Sequence, residues 1–373
     1  MIYLDNAATT AIDSAVLDAM MPFLTSSYGN AGSLHSMGRT AYDAVYNARK
    51  QVAKFINASP EQIIFTSSGT EANNMVIHNA KLFGQKRIVT TATEHDSIVK
   101  FLGLIVLPVT SQGIVDLDSL IEQLSVNAHN ISLLSVIHTN NELGIENPIE
   151  MIGSLCYANH VPFHTDCVQA AGFAELDVKK FKCDFLTLSS HKIHGPKGVG
   201  ALFVKEPDKF FPLIHGGESQ EYGLRGGTEN VAGIVGFGKA CELAKENARE
   251  NDQRIFHNFY TFMGSLEHSL YEKNLKDIIH YNSPVYASKI LNVRFDGVSA
   301  ESLLMMLDAK GVCASAGSAC NASDGEPSHV LKAIGLTNDE ARSSIRVSFS
   351  KDNTVEECYK AGEIVAECVS LLC

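Results

Sequence analysis

Residues 161–204 read VPFHTDCVQAAGFAELDVKKFKCDFLTLSSHKIHGPKGVGALFV. Three apolar runs stand out: VPFHTD (161–166), DFLTLSS (184–190) and GVGALFV (198–204). They are continuous rather than alternating, the pattern of strands buried on both faces. Toward the N-terminus the series continues through IIFTS (63–67), RIVTT (87–91), LIVLPV (104–109) and ISLLSVIH (131–138), separated by helical patterns. Strands alternating with helices predict βαβ units, a mostly parallel sheet and the α/β fold class.

Beyond residue 204 the pattern changes. One long helical stretch is expected over 229–272, joining the large sheet to the C-terminal third of the chain. KILNVRF (289–295), a helix near 301–310, IRVSFS (345–350) and a closing amphipathic helix then suggest a smaller α+β unit. The first dozen residues have no place in the large sheet and are assigned to the small unit. The expected division is a large domain over 14–255 and a small one over 1–13 and 256–373.

Composition excludes several classes of protein. Among 373 residues, 45% are hydrophobic and 19% charged, which rules out a wholly disordered chain. The formal net charge of −12 disfavours direct nucleic-acid binding, which needs clustered Lys and Arg. The apolar run at 101–109 is too short to span a bilayer. The nine cysteines are odd in number, scattered and without a CxxC pair, so neither a secreted disulfide framework nor a zinc site is indicated. MIYLDNAATT has no basic residue and does not read as a leader. A reduced, cytoplasmic protein with mostly buried thiols is expected.

In open α/β sheets, ligands bind beyond the carboxyl ends of the strands. There SSGTEANN (67–74) turns through Gly69 into a helix whose first turn carries Thr70 and suits a phosphate. Asp166 ends the next candidate, with Gln169 three residues on, and SSHKIHGPKG (189–198) places His191 and Lys192 beside glycines. Each has an ordinary reading alone: a capped turn, an N-cap, a solvated lysine. Together they form a phosphate cradle, a carboxylate for a protonated ring nitrogen and an amine for an aldehyde, which is the equipment for pyridoxal 5′-phosphate.

At this point the sequence resembles the class V aminotransferase superfamily, and within it the cysteine desulfurases of iron–sulfur cluster assembly. The resemblance runs almost end to end through YLDNAATT, GNAGSLHSMG, SSGTEANN, TEHDS, HTNNELG, HTDCVQAAG, SSHKIHGPKGVGAL, GLRGGTEN, SAGSACNASDGEPSHVLKAIG and SSIRVSFS. It implies the fold type I arrangement of pyridoxal-phosphate-dependent transferases, with Lys192 as Schiff-base lysine. Gly69, Thr70, Ser189 and His191 would hold the phosphate. Asp166 would pair with the ring nitrogen and Gln169 with the ring oxygen, while His95 would stack on the ring and move protons. Asn141 and Arg346 would bind the substrate carboxylate. Thr228 would reach the phosphate of a neighbouring subunit, implying a homodimer.

Cys320 separates a desulfurase from a transaminase, which needs no thiol nucleophile. Small and polar residues surround it, the composition of an exposed loop. The resemblance makes it the persulfide-forming cysteine of the branch with a long cysteine loop, whereas Cys313 reads as strand-buried. The implied reaction converts L-cysteine to L-alanine and passes sulfur to an acceptor protein for iron–sulfur cluster assembly or tRNA thiolation. Selenocysteine lyase and class V aminotransferase are the alternatives, and a non-catalytic scaffold a remote one. A few positions depart from the usual wording, including Cys167 in HTDCVQ and Asn321 after Cys320, but no expected catalytic group is missing.

Overall fold

The computed structural model describes residues 1–82, 86–283, 289–317 and 326–373. In chain order its strands are β1 (Ile2–Tyr3), β2 (Ile63–Thr66), β3 (Arg87–Thr91), β4 (Ile105–Leu107), β5 (Ile131–Ile137), β6 (Phe163–Asp166), β7 (Phe185–Ser189), β8 (Gly200–Val204), β9 (Ile279–Tyr281), β10 (Ile290–Phe295), β11 (Val312–Cys313) and β12 (Ser344–Ser348). All seven runs expected in the large sheet form strands there.

The seven-stranded sheet has the order β2-β8-β7-β6-β5-β3-β4. Only β8 runs against both of its neighbours; the other pairings are parallel. The carboxyl ends of β2, β3, β5, β6 and β7 therefore open on one edge. The continuous apolar runs have a direct cause. Ile63 and Phe65 enter one core and Ile64 the opposite one; in β8, Ala201 and Phe203 face the first, Leu202 and Val204 the second. The helices Ser36–Phe55 and Val231–Glu246 contribute to the first core, and Gly69–Leu82 to the second.

A separate core gathers around the antiparallel sheet β12-β10-β9 and the parallel pair β1-β11. Its helical cover comes from Ala248–Glu272, Ala300–Ala309 and Val355–Leu372. Ile2 and Leu4 belong to this core, and Ser348 donates its amide to the Leu4 carbonyl at 2.7 Å.

Two expectations need correction. The stretch 229–272 is not one helix but two, Val231–Glu246 and Ala248–Glu272, meeting at Asn247. Asn247 has ψ 10°, and both its amide and its side-chain Nδ2 donate to the Leu243 carbonyl at 3.0 Å, so the side chain competes for the helix ladder and ends it. Cys313 lies in β11, as read, but is only half-buried. Six other cysteines are buried, and Cys373 is exposed.

Candidate active site

A cleft of about 220 Å³ lies at the carboxyl ends of the strands. Its first wall is the turn after β2. The opening amides of the helix Gly69–Leu82 have no carbonyl to bond inside the helix. Ser68 takes two of them, through its Oγ to the Glu71 amide (3.2 Å) and its carbonyl to the Ala72 amide (3.2 Å). Gly69 and Thr70 remain at the cleft with the positive end of the helix dipole. The fit here is close: a Cβ on Gly69 would stand 2.8 Å from Val168 Cγ2. Glu71 anchors the turn, accepting from the Ser67 amide (2.8 Å) and from Arg225 Nε and Nη2 (2.8 and 3.2 Å). Burial pulls its carboxyl up, but Arg225 and Ser67 outweigh that and hold it below the ordinary value.

The floor is Asp166, at the end of β6 and only 4% exposed. Its Oδ1 accepts from the Val168 amide (2.9 Å) and its Oδ2 from Asn73 Nδ2 (2.8 Å), which also donates to Ser97 Oγ (2.9 Å). Gln169 donates to the Ala7 carbonyl (2.8 Å), while its buried Oε1 has no partner among the described residues.

Lys192 ends a short 3-10 turn, Ser190–Lys192, directly after β7. Its Nζ donates to the carbonyls of Ala7 and Ala8, the latter at 2.8 Å. The N-terminal segment thus holds the lysine amine beside Asp166 and Gln169. His191 Nδ1 meets Thr9 Oγ1 (3.1 Å). Desolvation, then the charges of Lys192 and Lys197, push its pKa down to about 4, so the ring is neutral near pH 7.

His95, following β3, caps the short helix Asp96–Val99: the Ser97 amide donates to its Nδ1 at 3.1 Å. Nδ1 is therefore an acceptor, which leaves Nε2 as the ring's N–H donor. Next to it, Glu94 is wholly buried; its Oε1 accepts from Thr91 Oγ1 (2.7 Å) and the Ile137 amide (2.8 Å), joining the ends of β3 and β5. Desolvation, aided by the Asp166 charge, raises its pKa to about 8 against those two hydrogen bonds.

The far wall is Arg346, from β12 and 2% exposed. Its Nη1 donates to the Asn141 carbonyl (2.8 Å) and its Nη2 to Asp5 Oδ1 (2.9 Å). A guanidinium held in this way lines the cleft together with Lys192.

The structure brings Gly69, Thr70, His95, Asn141, Asp166, Gln169, Ser189, His191, Lys192 and Arg346 to one cleft. Thr228 is exposed and outside that lining. Cys320 lies outside the described residues. Sequence reasoning gave no role to Asp5, Glu71, Asn73, Glu94, Glu142 or Arg225, although all sit inside quoted motifs. A carboxylate or amide embedded between recognised residues was the available signal. Chemically, the cleft suits a phosphorylated heteroaromatic aldehyde: dipole and amides for the phosphate, a carboxylate for a protonated ring nitrogen, an amine for the aldehyde and a guanidinium for a carboxylate.

Comparison with known proteins gives a consistent picture. The profile of the family "Aminotransferase class-V" matches residues 2–360. The chain is 39% identical to the cysteine desulfurase IscS of Methanosarcina thermophila, over 100% of this chain and 92% of that protein. The solved structure of a NifS-like protein superposes with a TM-score of 0.88 at 32% identity, covering 99% of both chains. A structure of SspA in complex with cysteine superposes at 0.77, with 32% identity over 95% of this chain and 100% of that one.

Proposed function

The chain belongs to the class-V aminotransferase family, and from that membership and the geometry of the cleft we propose that it is a cysteine desulfurase that uses pyridoxal 5′-phosphate. The observation that carries this reading is the convergence of Lys192, Asp166 and the start of the helix Gly69–Leu82 on a cleft closed by Arg346. When bound, the cofactor supplies an electron sink that loosens bonds at the α- and β-carbons of an amino acid.

The residues of the chain divide the rest of the work. The amides of Gly69 and Thr70, with Ser189 and His191, hold the phosphate. Asp166, steadied by Asn73, keeps the ring nitrogen protonated. Gln169 would hydrogen-bond the ring oxygen. Lys192 would tether the aldehyde and would take the α-proton of L-cysteine on Nζ. Arg346 and Asn141 orient the substrate carboxylate. His95 would stack on the ring and move protons through Nε2. The Cys320 thiolate attacks the substrate sulfur: the new S–S bond forms as the Cβ–S bond breaks, the bonding pair stays with the carbon fragment, and protonation yields L-alanine beside a persulfide on Cys320.

The same reading extends to assembly and place. Thr228 is exposed beside the Arg225–Glu71 anchor, which supports a homodimer in which it serves the neighbouring phosphate. A persulfide on Cys320 would pass its sulfur to an acceptor protein, for iron–sulfur cluster assembly or tRNA thiolation. Among the described residues no helix is long and apolar enough to cross a membrane, in keeping with a cytoplasmic location. Mass spectrometry after incubation with L-cysteine tests the proposal. A sulfur adduct on Cys320 with stoichiometric alanine is expected, and Cys320→Ala should keep the yellow cofactor absorbance while losing both products. Undiminished alanine formation by Cys320→Ala would overturn it.

A further inference from the structure

Glu142 lies one residue beyond Asn141 and is 1% exposed. Its backbone is fixed on both sides: the amide donates to Asn140 Oδ1 (2.9 Å) and the carbonyl accepts from Asn292 Nδ2 (3.2 Å). The side chain turns toward the two ends of the segment 318–325. On the later side, Ser328 Oγ donates to Glu142 Oε2 at 2.5 Å. The direction is settled by Ser328 itself, whose oxygen already accepts from the Val330 and Leu331 amides (3.2 Å each) as the cap of the helix His329–Ala333. On the earlier side, Gly317 has φ +60°, and a Cβ there would stand 3.1 Å from Glu142 Oε2 and 3.4 Å from the Ser328 Cβ. One carboxylate oxygen therefore bonds Ser328 and leaves no free room for a side chain at position 317.

These two ends also reach the substrate end of the cleft. Ser315 and Arg346 exchange backbone hydrogen bonds, at 3.1 and 2.6 Å, while the Arg346 guanidinium bonds the carbonyl of Asn141, the neighbour of Glu142. Burial raises the pKa of Glu142, and the Ser328 hydroxyl and the charges of His329 and Arg346 pull it back.

We propose that Glu142 is a positioning residue for sulfur transfer, its carboxylate oxygen pinning Ser328 and Gly317 in register with the Arg346 end of the cleft. It touches neither the cofactor site nor the reacting atoms. This rests on the desulfurase reading. The prediction is a split between steps: substrate engagement at Lys192 and Arg346 is preserved, whereas delivery of sulfur to Cys320 is slowed.

The experiment compares the wild-type holoenzyme with Glu142→Ala and Glu142→Gln. Three quantities are read: the cofactor absorbance change on adding L-cysteine, the rate of persulfide formation on Cys320, and the rate at which iodoacetamide alkylates Cys320 without substrate. Glu142→Ala should keep the absorbance change and its half-saturating cysteine concentration within about twofold. Its persulfide rate should fall about tenfold or more, the loss corresponding to one buried hydrogen bond of about 1.4 kcal/mol, and its alkylation rate should shift from wild type. Glu142→Gln, which keeps an acceptor oxygen for Ser328, should recover the persulfide rate to within about threefold. The proposal is overturned if Glu142→Ala forms persulfide at the wild-type rate, if it loses the absorbance change in equal measure, or if Gln is as poor as Ala. Absence of any Cys320 persulfide in the wild type would instead overturn the desulfurase reading on which the proposal stands.

Discussion

Arg49 and Glu221 offer a quantitative test of how the phosphate end of the cleft is built. Arg49, in the helix Ser36–Phe55, grips Glu221 through Nη1 and Nη2, both at 2.7 Å, with side chains only 6% and 4% exposed. The pair also clasps β2: Arg49 Nη1 donates to the Ile63 carbonyl (2.5 Å), and Glu221 Oε2 accepts from the Phe65 amide (2.7 Å). Burial alone would lower the Arg49 pKa, but Glu221 outweighs it and raises it. Removing one partner leaves the other charge buried and unpaired, a cost of about 3–5 kcal/mol. Arg49→Met keeps an unbranched apolar stem and removes the guanidinium, together with its placement over the Phe65 and Tyr222 rings (4.8 and 5.1 Å). It should destabilise by that amount in urea unfolding of the holoenzyme. Glu221→Gln leaves the buried Arg49 charge without its counter-ion and should likewise cost about 3–5 kcal/mol. The double variant should recover about 1–3 kcal/mol relative to the sum, because neither charge is then left alone. A cost below about 1 kcal/mol for Arg49→Met, or strict additivity, would refute the reasoning.

The cleft itself supports two more tests. Glu94 has a folded pKa of about 8 against 4.5 for the unfolded chain, so the folded form holds a proton that the unfolded form has released. The associated stability is fully present below 4.5 and is lost as pH rises through about 8. Glu94→Gln, uncharged throughout, should gain on the wild type progressively between about pH 5 and pH 8 in thermal unfolding; a constant difference across that range would contradict the assignment. Gly69→Ala forces the new Cβ against Val168, an overpacking cost of about 1–3 kcal/mol. Because the displaced element carries the amides proposed to hold the phosphate, cofactor affinity by absorbance titration should fall about fivefold or more, and unchanged affinity would show that the turn yields freely.

The sheet was legible because burial on both faces leaves a signature that survives in the sequence. Ile63, Ile64 and Phe65 are apolar in succession since each enters a core on one side or the other. The break at Asn247 was not legible: the flanking residues are good helix formers, and only the side chain's bond to the Leu243 carbonyl divides the pattern. The cleft residues lie at strand ends, where local sequence already points to a ligand. Their supports do not. Asn73 matters because β6 brings Asp166 to it across 93 positions, and Glu71 because Arg225 arrives from 154 positions away. Such partners are set by tertiary contact, which periodicity does not encode. Glu142 belongs with them: its meaning appears only once Ser328 and Gly317 stand beside it.

The N-terminal segment carries a consequence for how the protein comes into being. Ile2 and Tyr3 pair with Val312 and Cys313, Leu4 accepts from Ser348, and Asp5 grips Arg346, so the first residues made are bound to residues near the end of the chain. Yet the carbonyls of Ala7 and Ala8 hold Lys192. On the ribosome, then, the large sheet has all its strands well before residues 2–5 meet their partners. A nascent chain halted before residue 312 would carry every strand of that sheet and the contacts of Gln169 and His191 with Ala7 and Thr9, yet it would lack Arg346, which ties completion of the cleft to completion of the chain.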